Sequence, residues 1–149
     1  MDKCSKTAAL YIATVKAIAL IHQNSHWTSK GNNFYGDHLL FERIYKSALE
    51  DLDLAAEKFI GLFGASCLNY QLQADLLNKI LLKYKGLEGE PLAMSLAIEK
   101  DFLKLSSDAY NCFEEEGKLT LGLDDMVMAI ASNREGSVYL LQQALKDLE

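Results

Sequence analysis

The sequence predicts an all-α protein, a bundle of four long helices with a short extra helix in the long connection between the second and the third. Apolar residues recur at three- and four-residue spacing along four long segments, as on the buried face of a helix. Glycine and proline separate the segments at Gly31, Gly64, Pro91 and Gly117. A chain of 149 residues can bury roughly two thirds of its unfolded surface, so a single domain over residues 1–149 is expected.

Local signals place the ends of the helices. Ser5 is a candidate N-cap for the first helix, and Pro91 suits the first turn of the third long helix. The long second connection allows the second and third long helices to run parallel. The expected helices span residues 5–29, 34 or 37 to 63, 69–85 for the short one, 91–116, and 121 or 123 to 148. The core positions expected on the second helix are Leu40, Ile44, Ala48, Leu52, Ala55, Phe59 and Leu62.

The charge balance favours cations or uncharged molecules as partners. The chain has 15 Lys and Arg against 21 Asp and Glu, a net charge of −6 at pH 7. A negative protein repels the phosphate backbone of nucleic acids. Nucleic acid is therefore a minority hypothesis.

The cysteines and the N-terminal segment indicate a cytoplasmic protein. Cys4, Cys67 and Cys112 are scattered, odd in number and without a CxxC pair, so we expect neither a disulfide framework nor a thiolate zinc site. Lys16 interrupts the apolar run near the N-terminus and no cleavage motif follows, which argues against a signal peptide. No run reaches the roughly 20 apolar residues of a membrane span.

Five side chains around the first helix junction form a candidate metal site. They are His26, His38, Glu42, Asp53 and Glu57. Two imidazoles and three carboxylates suit a hard or borderline ion, and iron is the expected metal. Simpler roles remain open, because a histidine on an apolar stripe is often a core residue, the role expected for His22, and carboxylates four residues apart often form a solvated face. The residues that argue against a purely solvated face around Asp53 and Glu57 are Leu52, Leu54, Ala55 and Ala56.

The spacing of the ligands predicts a site shared by two chains. His38 and Glu42 are four residues apart, as are Asp53 and Glu57, and fifteen residues between the pairs return all four to one helical face. The pairs are nevertheless about 22 Å apart along the axis, whereas the ions of a dinuclear site lie roughly 3.5–4 Å apart. A second copy related by a twofold axis would bring one pair opposite the other and form two identical sites. His26 would complete the first pair in this isologous dimer.

Residues 22–64 resemble the signature of the Dps proteins, the dodecameric mini-ferritins of the ferritin-like superfamily. The matching positions are His26-Trp27, Gly31, Phe34, His38, Glu42, Tyr45, Asp53 and Ala56-Glu57. The resemblance implies a hollow homo-oligomeric shell in which one chain supplies the two histidines and Glu42, and its partner supplies Asp53 and Glu57. One ligand position that is Asp in many members is Glu here, and its longer side chain would alter the weaker metal position. The sequence contains no Glu-x-x-His, which separates it from the larger ferritins and bacterioferritins.

The resemblance implies a ferroxidase that stores iron and protects against oxidative damage. Fe(II) would be oxidised at the shared sites, with hydrogen peroxide preferred over oxygen, and stored as Fe(III) inside the shell. Glu57 is the expected bridging ligand, and Asp53 is the second ligand from the partner. The acidic clusters at residues 114–116 and 124–125 would lie near a threefold pore for iron, with Asp125 the strongest candidate. A solvated helix end would explain these clusters equally well.

DNA binding is the other activity of the Dps proteins, and we expect this chain to lack it. Members that condense DNA often carry a flexible basic tail, whereas this chain has only Lys3 and Lys6 before the first helix and ends Lys146-Asp147-Leu148-Glu149. The purified protein should not retain duplex DNA at physiological salt. Retention that weakens as salt is raised would contradict this prediction.

Two other classes of function are compatible with the same residues. One is a structural or interaction bundle that keeps the fold without turning over iron. The other is a zinc-occupied or zinc-regulated site, since imidazole and carboxylate also bind zinc. Trp27 and Tyr45 lie close to the ligands in sequence, and packing is a simpler role for both than redox chemistry.

Overall fold

The computed structural model describes residues 1–146, which fold into four long helices and one short helix, as predicted. The helices are α1 (Lys3–Thr28), α2 (Phe34–Phe63), the short α3 (Tyr70–Leu82), α4 (Pro91–Glu115) and α5 (Leu121–Lys146). Single 3₁₀ turns at Ala65–Leu68 and Lys85–Leu87 flank α3. The last predicted helical residues, 147 and 148, lie outside the described residues.

The ends of the helices follow local sequence signals, with one correction. Asp2, and not the predicted Ser5, is the N-cap of α1, because its carboxylate accepts the backbone N–H of Ser5 at 2.8 Å. Ser5 lies inside the first turn and is buried. Pro91 opens α4 as predicted. Gly64 ends α2 with φ of 86°, a left-handed conformation that glycine adopts without steric cost.

The contacts between the helices establish an up-down-down-up bundle. Each long helix packs against two others, so that α1 and α5 lie at opposite corners. Contacts near both ends show that α1 is antiparallel to α2 and to α4, namely Tyr11–Phe59 and His26–His38 with α2, and Thr7–Cys112 and His22–Ser95 with α4. The α2 and α4 helices therefore run parallel, which confirms the prediction from the long connection.

The core is built around α1. The Tyr11 ring packs edge-on against Phe59 of α2, with ring centroids 5.2 Å apart, and against Phe102 of α4 at 4.9 Å. Phe113 extends this aromatic contact at 5.7 Å from Phe59. Such pairs contribute about 0.5–1.5 kcal/mol each beyond the area that they bury, so this group ties three helices together.

The apolar character of α1 follows from its central position. By length and composition α1 could cross a membrane, with a mean hydropathy of 1.4 over 18 residues, although Lys16 interrupts its apolar run. In the structure, however, 72% of that window is buried against the other helices. The α1 helix is thus apolar on nearly all sides because it is the core helix of the bundle.

The buried face of α2 is rotated slightly from the predicted one. Ile44, Ala48, Ala55 and Phe59 are buried as expected. Two predicted core residues, Leu40 and Leu52, are only half-buried, and Leu62 is 39% exposed. Phe41 is buried instead, because the inward stripe runs through positions 41, 44, 48, 55 and 59.

Candidate metal centre

The turn between α1 and α2 brings His26 and His38 side by side. Gly31 reverses the chain with φ of 97°, a conformation in which a side chain would be strained. The last turns of α1 then lie against the first turns of α2, and the two imidazole rings stack with centroids 3.8 Å apart. His26 is buried and His38 is half-buried.

Each histidine is held by the backbone of the other. The Nδ1 atom of His26 donates to the carbonyl oxygen of His38 at 2.7 Å, and Nδ1 of His38 donates to the carbonyl oxygen of His26 at 2.8 Å. Because a carbonyl oxygen can only accept, each Nδ1 carries a proton, and Nε2 is the ring nitrogen left for a metal ion. A backbone carbonyl on the second ring nitrogen is the usual arrangement of a metal-binding histidine.

Aromatic rings surround the two imidazoles. Phe34 stacks on His38 with centroids 5.2 Å apart, and Tyr45 lies 5.4 Å from the ring of His26. Tyr45 therefore packs against a proposed ligand. Trp27 behaves differently, since 65% of its surface is exposed and it contributes nothing to the core of this chain.

Glu42 lies one helical turn beyond His38 and is paired with Lys46. The Nζ of Lys46 is 2.7 Å from Oε1 of Glu42, a contact between residues four apart on the exposed side of α2. The hydrogen bond from Lys46 lowers the pKa of Glu42. Sequence reasoning missed this lysine, although its spacing from Glu42 is the signal for such a pair. A metal ion at Glu42 must displace or share the Lys46 contact.

Removing the ammonium group of Lys46 should therefore strengthen metal binding at Glu42. For Lys46→Gln we expect an affinity for Fe(II) higher by about twofold, the scale of an exposed ion pair. Anaerobic calorimetric titration measures it, with Arg43→Gln as the control for loss of an exposed cation on the same helix. Equal affinities in Lys46→Gln and the wild type would indicate that Glu42 is not a ligand.

Asp53 and Glu57 do not reach the histidines within one chain. Both carboxylates are exposed on α2, about four to five turns beyond His38. Within residues 1–146 of a single chain, no three His, Cys, Asp or Glu side chains converge on one point. The single chain therefore brings His26 and His38 together, with Glu42 one helical turn beyond His38, and leaves Asp53 and Glu57 apart, so the shared site stays a prediction.

The face of α2 that carries these carboxylates is unusually apolar. Steps of 100° per residue place four exposed apolar side chains on the same side as His38, Glu42, Asp53 and Glu57. They are Tyr35, Leu39, Leu49 and Ile60, which are 69%, 43%, 43% and 39% exposed. We call this surface the α2 outer face. Apolar residues alternating with carboxylates favour a protein contact over a solvated helix surface.

A second set of polar side chains lies inside the bundle. Of this set, only His22 was predicted from the sequence, as a core residue. His22 is fully buried, with Nε2 donating to Oε1 of Glu99 at 2.8 Å and Nδ1 accepting from the Ser95 hydroxyl at 2.9 Å. Arg134 contacts the same Glu99 oxygen at 3.0 Å. The one signal in the sequence that could have pointed to it is the presence of Glu99 and Arg134 at buried positions of α4 and α5.

The stability of the protein should fall as the pH drops below about 6.5, the ordinary pKa of histidine. Burial lowers the pKa of His22, and the Arg134 charge adds to this, against the opposing effect of Glu99. The unfolded chain then binds a proton that the folded chain does not, and the slope is at most about 1.4 kcal/mol per pH unit. Burial raises the pKa of Asp51 nearby, which contributes in the opposite sense.

Urea denaturation between pH 7.5 and 5.5 measures this slope, and the His22→Gln variant isolates its source. Gln keeps a donor and an acceptor for Glu99 and Ser95 without a titrating ring. The variant should lose stability less steeply than the wild type as the pH falls. Parallel curves would show that other groups cause the acid sensitivity.

The predicted pore residues lie at the turn between α4 and α5. Residues 114–116 and Asp125 are exposed, as a pore lining requires, while Asp124 is half-buried beside the Tyr110 hydroxyl. Glu116 also lies 3.8 Å from Lys3 of α1. Asp125 thus stays the strongest candidate for a pore residue.

Comparison with solved structures identifies the fold. The chain superposes on a Dps protein from Bacillus brevis with a TM-score of 0.79 and 20% sequence identity, over 97% of this chain and 99% of that one. DpsC from Streptomyces coelicolor gives 0.80 and 20%, over 95% and 83%. The Dps of Microbacterium arborescens in the high iron form gives 0.74 and 14%, over 96% and 92%. No protein-family model matches the sequence. The chain therefore has the Dps-type ferritin-like fold.

Proposed function

We propose that this chain, which has the Dps fold, is a mini-ferritin whose copies oxidise Fe(II) at dinuclear sites shared across a twofold interface. Hydrogen peroxide is the proposed oxidant, and Fe(III) is stored inside a dodecameric shell, which protects against oxidative damage. The observation that carries the proposal is the reciprocal hydrogen bonding of His26 and His38, which occupies both Nδ1 atoms and leaves both Nε2 atoms for a metal ion, with Glu42 one helical turn beyond His38. The iron-rich state of the M. arborescens protein, which has the same fold, agrees with it.

The α2 outer face supports the proposed pairing of two chains. Its exposed apolar side chains would be buried against a second copy, and a twofold axis would place Asp53 and Glu57 of that copy opposite the histidines. Glu57 would bridge the two ions, Asp53 would bind one of them, and His26, His38 and Glu42 would come from the first chain. Lys46 would move aside as Fe(II) neutralises Glu42.

The chemistry of the proposed site follows from its ligands. Imidazole nitrogens and carboxylate oxygens bind Fe(II), and the anionic oxygens stabilise Fe(III) more, so the ligand set favours oxidation. Two Fe(II) each give one electron to one hydrogen peroxide, which takes up two protons and leaves as two waters. Because both electrons arrive at one site, no hydroxyl radical needs to be released.

Anaerobic loading with Fe(II), followed by peroxide, tests the proposal. We expect a rise in ferric absorbance within seconds, two Fe(II) consumed per peroxide, and iron that co-elutes with a large particle on size exclusion. Binding without oxidation, or a particle no larger than a dimer, would instead favour a structural bundle or a zinc site.

A cytoplasmic location forms part of the proposal. Cys4, Cys67 and Cys112 are all free and buried. Free thiols persist in a reducing compartment, which is also where Fe(II) is available.

A further inference from the structure

A buried polar cluster at the centre of the bundle draws one side chain from each long helix. Its members are His22 of α1, Asp51 of α2, Glu99 of α4 and Arg134 of α5, and we call them the core cluster. His22, Glu99 and Arg134 have no exposed surface, and Asp51 is 3% exposed. Groups of this polarity are buried at large cost unless they pair with one another.

The guanidinium of Arg134 occupies the middle of the core cluster. Its Nη1 lies 3.0 Å from Oε1 of Glu99, and its Nε lies 3.2 Å from Oδ2 of Asp51. Its Nη2 donates to the Ser47 hydroxyl at 2.6 Å. The guanidinium is thus a buried cation held by three oxygen ligands from two other helices.

The carboxylates of the core cluster offer more acceptor capacity than Arg134 uses. Oε2 of Glu99 and Oδ2 of Asp51 are buried, and neither has a hydrogen-bond partner among residues 1–146. The Arg134 Nε lies 3.2 Å from Oδ2 of Asp51 but is poorly aligned for a hydrogen bond, so the two atoms form an ion-pair contact only. Two carboxylates face one guanidinium, so a single positive charge leaves the cluster short of neutrality.

We infer that the core cluster is a cation site filled by the chain's own Arg134, and that it binds a hard divalent metal ion when this guanidinium is removed. Two carboxylates and a hydroxyl are oxygen ligands of the kind that Mg²⁺ and Mn²⁺ prefer. A divalent ion would also balance both carboxylates, which the guanidinium does not. In the natural chain Arg134 keeps metal ions out of the bundle, so that binding is confined to its surface.

Mn²⁺ binding by an Arg134→Ala variant tests this inference. The variant is made with His38→Ala and Asp53→Ala also present, so that the proposed surface site cannot bind Mn²⁺. The result therefore does not depend on whether the proposed function is correct. We expect loss of the free Mn²⁺ signal in electron paramagnetic resonance, with one ion bound per chain. At Mn²⁺ one hundred times the dissociation constant, the Tm should rise by about 8 °C.

Two control variants separate a core site from adventitious binding. Arg134→Lys keeps a cation in the cluster and should bind no Mn²⁺ in the same background. Arg134→Ala combined with Glu99→Gln removes one ligand and should lose at least tenfold in Mn²⁺ affinity. Equal binding by Arg134→Ala and Arg134→Lys, or no binding by either, overturns the inference.

Loss of Arg134 leaves Asp51 and Glu99 without their cation, so the variant can fail to fold unless a cation is supplied. It is then refolded with Mn²⁺ or with methylguanidinium, which replaces the missing group directly. Recovery with Mn²⁺ supports the inference. Recovery with methylguanidinium alone, or with neither, overturns it, because the site then does not accept a metal ion.

Discussion

Chains that carry His38→Ala and chains that carry Asp53→Ala should each fail to oxidise iron, and their co-assembly should restore part of the activity. Loss of a group that supports a metal ligand already costs about 10–100-fold, and loss of a ligand should cost at least as much. In a mixed pair about a twofold axis, one site carries both changes and the other carries neither. Two inactive chains therefore produce an intact site together.

The expected recovery has a definite size. With random pairing about half of the pairs are mixed, and one of their two sites is intact, so about a quarter of all sites should be active. Initial rates of ferric absorbance after peroxide addition measure it, on co-expressed protein with the chain ratio checked by mass spectrometry. A double variant with both changes on one chain is the control and should stay inactive. Recovery near zero at normal assembly size would contradict a shared site.

Glu99→Ala should lower the free energy of unfolding by about 3–5 kcal/mol. Glu99 is fully buried between His22 and Arg134, and its loss leaves the Nε2–H of His22 and the Nη1 of Arg134 without their acceptor in the core. The side-chain volume is lost as well, which adds a cavity. Denaturation in urea at one protein concentration measures the change, because assembly makes the stability depend on concentration.

Two further variants identify the cause of the Glu99 effect. Glu115→Ala, an exposed glutamate on the same helix, should change stability by less than about 0.5 kcal/mol. Glu99→Met and Arg134→Met, combined with Asp51→Asn, remove every charged group of the Arg134 ion pairs and should recover much of the loss, since apolar side chains can replace a buried ion pair. If the combined change is as damaging as Glu99→Ala alone, lost packing and not unpaired polar groups is responsible.

The helices were predictable because their signals are local. Gly64 and Pro91 end and begin helices through their own backbone preferences, which need no knowledge of the rest of the fold. The core cluster was not predictable in the same way. Glu99 and Arg134 are thirty-five residues apart and meet only because α4 and α5 pack together. A pattern on one helix cannot identify a partner on another.

In the candidate site, too, local features were predictable and contacts between helices or chains were not. His26 and His38 were expected to meet, since one short turn joins their helices, and the structure places their rings 3.8 Å apart. Their exchange of hydrogen bonds with backbone carbonyls was not visible in the sequence, because it depends on the relative height of α1 and α2. The role of Asp53 and Glu57 as metal ligands stays a prediction, since the histidines that they would face belong to another chain.

The exchange of hydrogen bonds between His26 and His38 has an entropic consequence for assembly. Neither ring can rotate without breaking its bond to the opposite carbonyl, so both imidazoles have lost their rotational freedom before any ion arrives. The free-energy cost of ordering the rings arises during folding and does not recur when a metal ion binds. An isolated chain should then hold one ion weakly at its ordered half-site, and the arrival of a second chain should tighten it by chelation. Binding of iron to one chain would in this way promote its pairing with the second chain that completes the site.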